Sequence, residues 1–149
     1  MKILVSTTAR LSHLRALLPF VTASVEGGHH VALAAPRSLA EYVTRFGLRH
    51  LAFDDVSNDE FRIIRDTERF GPETHAPSAL RLLAAQSARA ALPGLRAVVE
   101  EFRPDLIVRD VAELASLIVA QSYGIPEVPV QTTCTGSNCQ ILWVGVLLA

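Results

Sequence analysis

Short apolar runs alternate with amphipathic stretches from the first residues onward. Ile3, Leu4 and Val5 stand together before Ser6, which predicts a buried strand over residues 1–6 with residues 7–12 as its exit loop. Leu14, Leu17, Leu18, Val21 and Val25 then recur at helical spacing and predict a buried helix face, with Gly27-Gly28 as the C-cap. A second apolar strand, His30-Val31-Ala32-Leu33-Ala34, is stopped by Pro36. Residues 38–46 read as a helix with Gly47 behind it, and residues 49–53 as a third short strand. Strand and helix alternate, so a parallel sheet with right-handed crossovers is expected.

The second half continues the pattern with longer helices. The acidic stretch over residues 54–60 reads as a loop entering a short charged helix, and residues 70–78, with Gly71, Pro72 and Pro77, as the clearest loop. Alanine and leucine predict a helix over residues 79–101, bent at Pro93-Gly94 and ended by Arg103-Pro104. Residues 105–109 form a fourth strand, residues 111–123 a helix closed by Gly124, and residues 125–130 a fifth strand edged by Pro126 and Pro129. The fold class is α/β, a Rossmann-like open parallel sheet with helices on both faces.

The chain has 149 residues, 50% of them hydrophobic, enough for one ordinary core. A formal net charge of −1, with both signs interspersed, carries no electrostatic footprint for nucleic acid or an acidic membrane surface. A small neutral partner fits better. Cys134 and Cys139 are too few for a disulfide framework or a four-ligand zinc site, and they read as free thiols. The opening apolar run is too short for a signal peptide, which predicts a cytoplasmic protein. Residues 141–149 are nearly all apolar, yet well short of the roughly twenty residues that span a bilayer. They read as core material or an altered tail, and as an aggregation hazard if exposed.

Chemistry concentrates after the first and fourth strands. The loop Thr7-Thr8-Ala9-Arg10-Leu11-Ser12 contains no glycine, so neither a dinucleotide turn nor a phosphate-cradling loop is expected. The second strand ends in Ala34-Ala35-Pro36 and lacks the acid that would hold a ribose. A strand order of 3-2-1-4-5 makes the first and fourth strands neighbours, which brings His13 and Asp110 to adjoining ends. A carboxylate on one ring nitrogen fixes the tautomer and leaves the other as a base. Two plainer readings stand beside this dyad: Asp110, in Asp110-Val111-Ala112-Glu113, has the form of a helix N-cap, and His13 that of a helix-start residue satisfied by backbone. His29-His30 points to opposite faces of a strand, His50 and His75 join no ligand cluster, and Asp54, Asp55, Asp59 and Glu60 read as a solvated loop, so no metal is expected.

Several segments together resemble a known family. Met1-Lys2-Ile3-Leu4-Val5-Ser6, Ser12-His13-Leu14, Gly28-His29-His30-Val31, Ala34-Ala35-Pro36, Arg103-Pro104-Asp105-Leu106-Ile107-Val108-Arg109-Asp110 and Tyr123-Gly124-Ile125-Pro126 look like the N-terminal, acceptor-binding domain of GT-B glycosyltransferases. The most similar subgroup is the bacterial enzymes that decorate macrolides, enediynes and other natural products, related to the UDP-glycosyltransferases. The resemblance covers residues 1–135, with residues 136–149 as an apolar tail unlike the family's continuation.

The resemblance implies that His13 is the general base and Asp110 the residue that orients it, in an inverting transfer from a nucleotide-activated sugar to a hydroxyl. It implies no metal and no cofactor. It also implies a small hydrophobic acceptor, with Ser12, Phe53 and Phe70 among its contacts, and a nucleotide sugar bound mainly by a C-terminal domain that has no counterpart in these residues. Antibiotic biosynthesis is the implied setting. Ser12 stands where the family usually has glycine, and Ala16 where it often has proline. The expected function is thus half of a glycosyltransferase, inactive alone or completed by a separate donor-binding chain. The alternative is a non-catalytic helper that stabilises a partner glycosyltransferase.

Overall fold

In the computed structural model, residues 1–57, 59 and 76–131 are described. Five parallel strands, β1 (Lys2–Ser6), β2 (His30–Pro36), β3 (Arg49–Phe53), β4 (Leu106–Asp110) and β5 (Glu127–Val130), form one sheet in the order β3-β2-β1-β4-β5. The helices between them are α1 (Leu11–Glu26), α2 (Ala40–Arg45), entered through a 3₁₀ turn at Arg37–Leu39, α3 (Ala76–Phe102) and α4 (Leu114–Tyr123).

Strand alternation divides the apolar residues between two cores, one on each sheet face. Ile3 and Val5 pack with Leu14, Leu17 and Val21 of α1, Val43 of α2, and Leu33 and Val108. Leu4 faces the other way, toward Leu95, Val98, Val99 and Phe102 of α3 and Ala115 and Val119 of α4. The expected Rossmann-like sheet with helices on both faces is therefore the observed fold. Among the described residues no helix is long and apolar enough to cross a membrane.

The differences from the sequence reading lie at element ends: β2 includes Pro36, β4 includes Asp110, and β5 begins only at Glu127. Helix α1 starts at Leu11, so Leu11 and Ser12 belong to its first turn and not to the preceding loop, and His13 stands in that turn as a helix-start residue; the extended Arg10 offers its carbonyl to the His13 and Leu14 amides. Val25, counted on the buried face, is 51% exposed. Helix α3 begins at Ala76, inside the stretch read as a loop, because Pro77 falls in the first turn, where its missing N–H breaks no helical bond. Helix α4 begins at Leu114, three residues later than expected, and ends at the left-handed Gly124 (φ 65°). The rest of the expected loop over residues 70–75, the short charged helix, Phe70, His75, both cysteines and the 135/136 boundary lie outside the described residues.

Helix α3 runs through Pro93-Gly94 as one element, as expected. Gly94 serves packing, since a Cβ there would stand 2.8 Å from Phe53 Cβ and 3.1 Å from its Cα. The helix backbone thus lies directly on the end of β3. Gly94→Val is expected to lower unfolding free energy by about 1–3 kcal/mol through overpacking, read as a lower urea midpoint at unchanged slope.

Candidate active site

The exits of β1 and β4 lie side by side, with Ser6 in register with Arg109. Asp110 is the last residue of β4 and is fully buried. One carboxylate oxygen, Oδ2, meets His13 Nδ1 at 2.6 Å and accepts from Thr8 Oγ1 at 3.2 Å. The other, Oδ1, accepts from the Ala112 amide at 3.0 Å, which closes a short turn and holds the side chain's rotamer. A carboxylate accepts only, so the proton facing it sits on Nδ1 and the ring's lone pair on Nε2. The His13 side chain keeps 8% of its surface exposed. Such an imidazole can take a proton on Nε2, and the adjacent carboxylate stabilises the cation that results.

The structure therefore brings His13 and Asp110 together, as the strand order predicted. It also corrects the capping alternative: the N-cap of α4 is Glu113, not Asp110. Glu113 Oε1 accepts from the Ala115 amide at 2.8 Å, and Oε2 from the Ser116 amide at 2.9 Å and from Ser6 Oγ at 3.0 Å. Burial pushes its carboxyl above the ordinary glutamate range, against the lowering effect of these bonds. The sequence reading treated Glu113 only as an acid inside the helix; the pair Glu113 and Ser116, a carboxylate followed three residues on by a small polar residue, carries the missed signal.

A raised folded-state pKa has a definite sign. The folded state binds the proton more tightly than the unfolded chain, so this contribution is present below the unfolded pKa and is lost as pH rises through the folded one. Glu113→Gln removes the ionisation, so the stability difference between variant and wild type is expected to shift in favour of the variant as pH rises through that window. Parallel urea titrations from acid to neutral pH check this.

Ser12 is exposed on the first turn of α1. Phe53 is 2% exposed and lines a hollow of about 20 Å³, the space of a single water, with Thr8, Asp55, Ser87, Glu113 and Leu114. His50 bonds the Ala35 carbonyl at 3.0 Å through Nε2. Among the described residues no three of His, Cys, Asp and Glu come together as a metal site.

No protein-family profile matches the chain. L-demethylnoviosyl transferase of Streptomyces niveus is 30% identical over 126 residues, which are 85% of this chain and 33% of that protein. The glycosyltransferase SsfS6 of Streptomyces sp. SF2575 superposes with a TM-score of 0.72 at 24% identity, over 87% of this chain and 38% of its own. Spinosyn rhamnosyltransferase SpnG, solved also with thymidine diphosphate and with spinosyn aglycone, superposes with a TM-score of 0.75 at 23% identity, over 93% of this chain and 37% of its own. The chain is similar to bacterial natural-product glycosyltransferases, shares the fold of the matching parts of SsfS6 and SpnG, and spans about a third of the length of the proteins it matches.

Proposed function

We propose that this chain is the acceptor-binding part of an inverting glycosyltransferase acting on a hydroxyl of a small hydrophobic natural product. The observation that carries the reading is the 2.6 Å contact between His13 Nδ1 and Asp110 Oδ2 at adjoining strand ends, where open α/β sheets hold their ligands. His13 Nε2 takes the proton of the acceptor hydroxyl. The oxygen then forms a bond to the anomeric carbon of a nucleotide-activated sugar, and the nucleoside diphosphate leaves with the electrons of the bond that breaks. Attack opposite the leaving group inverts that carbon. Asp110 holds the ring in the tautomer that accepts on Nε2 and stabilises the imidazolium.

Residues 1–135 are the acceptor-binding domain in this reading, with Ser12, Phe53 and Phe70 as candidate acceptor contacts and the nucleotide sugar held mainly by a donor-binding domain. The work is done in the cytoplasm. Support for the setting comes from SpnG, which has been solved with an aglycone and with a nucleoside diphosphate.

The test is sugar transfer from nucleotide sugars to a panel of aglycones, by the chain alone and mixed with or fused to the donor-binding part of SpnG. Transfer in the combined protein supports the reading. A combined protein that binds donor and aglycone but transfers nothing overturns it, and co-purification with a full-length glycosyltransferase whose rate is indifferent to Asp110→Asn favours the helper role.

A further inference from the structure

The short segment after β4 is tied to the exit of β1 at two places. Thr8 donates to Asp110 Oδ2 at 3.2 Å and Ser6 donates to Glu113 Oε2 at 3.0 Å. Between these ties the turn is closed by the Glu113 amide, which donates to the Asp110 carbonyl at 3.0 Å. Inside it the Ala112 amide meets Asp110 Oδ1, also at 3.0 Å.

The backbone of Asp110 is held independently, paired with Val130 of β5, whose carbonyl accepts from the Val111 amide at 3.0 Å. The direction of its carboxylate is not held by that ladder. It is set by the Ala112 amide at Oδ1 together with Thr8 Oγ1 at Oδ2, and the Ala112 amide keeps its direction while the turn, whose Asp110 and Val111 carbonyls also accept from Arg109, stays closed. Glu113 closes it from the far side, because its buried carboxylate joins β1 to the first turn of α4 through Ser6, Ala115 and Ser116. Ser6 is itself fully buried, so water does not replace its bond at low cost.

We propose that Glu113 is a positioning residue for the His13–Asp110 pair, acting through its bond to Ser6 and the closed turn of residues 110–113 to aim the Asp110 carboxylate at His13 Nδ1. The proposal rests on the reading of His13 as the base. Glu113 lies beyond the reacting atoms and acts only through Asp110. Its role differs from a plain helix cap in one respect: cutting the Ser6 bond, which leaves both capping amide bonds in place, loosens the pair.

The experiment measures solvent exchange of the His13 Nδ1 proton by NMR in the uniformly nitrogen-15-labelled chain, with the amides of Leu33 and Leu51 in β2 and β3 as internal references. Ser6→Ala is the deciding variant, since it keeps the cap of α4 complete. Its His13 exchange is expected to rise about tenfold or more, while the reference amides stay within about twofold of wild type. Glu113→Ala is expected to act in the same direction, and Glu113→Gln to restore slow exchange, because its amide oxygen in the place of Oε2 still accepts from Ser6 Oγ and the Ser116 amide.

Unchanged His13 exchange in Ser6→Ala overturns the proposal. So does an equal rise at the reference amides, which makes the Ser6–Glu113 bond a general stabiliser only. Neither result depends on sugar transfer, so the base assignment, tested by transfer in a His13 variant, stands or falls separately.

Discussion

His13→Ala, in a combined protein that transfers sugar, is expected to lower kcat by about 10²–10⁴-fold, the usual contribution of a positioned general base. On the proposed reading the loss belongs in kcat, because Nε2 would act on the acceptor proton as the new bond forms. The same substitution leaves Asp110 buried with Thr8 and the Ala112 amide but without its imidazole, which is expected to cost about 1–3 kcal/mol of stability. Steady-state kinetics at saturating donor, with added imidazole as a partial rescue, separates the chemical loss from the structural one. A variant that keeps its kcat contradicts the assignment.

Asp110→Asn is expected to be nearly as damaging to turnover, about 10²–10⁴-fold in kcat, with a much smaller change in stability. Asparagine preserves shape and retains an oxygen for the Ala112 amide. Its NH₂ group, turned toward Nδ1, requires that nitrogen to accept. The ring proton then moves to Nε2, where the base should have its lone pair. The variant therefore holds a correctly placed histidine in the wrong tautomer. Kinetics beside urea unfolding on the same preparation check both parts. Loss of activity matched by loss of folded protein would mean that Asp110 serves the fold more than the reaction.

Much of this arrangement was legible in the sequence, for reasons that differ by residue. Strand β3 was bounded correctly at Arg49–Phe53, because a short apolar run stood between Gly47 and an acidic loop. The meeting of His13 with Asp110 followed from strand order alone, since topology places the first and fourth strands side by side.

The start of α4 was not legible. Asp110 and Glu113 are acids three residues apart, and a cap preference applied to either gives a plausible helix start. Burial beside Ser6, a residue more than a hundred positions away, decides for Glu113. The packing role of Gly94 was hidden for a similar reason: Pro93-Gly94 reads locally as a bend, and only the tertiary structure shows the glycine letting α3 rest on Phe53. Of the three acceptor contacts suggested, Phe53 lines the small hollow beside Thr8 and Glu113, Ser12 is exposed on α1, and Phe70 lies outside the described residues.

The most direct test of the account is to follow the ring signals of His13 by NMR while the chain itself is titrated with hydrophobic aglycones, their O-methylated counterparts and a nucleoside diphosphate. The account predicts that a hydroxyl-bearing aglycone moves the His13 signals at Nε2 and Cε1, that methylating the reacting hydroxyl removes the Nε2 effect, and that the nucleoside diphosphate leaves both in place. Aglycones that bind without disturbing His13, or a nucleoside diphosphate that disturbs it in their stead, would contradict it.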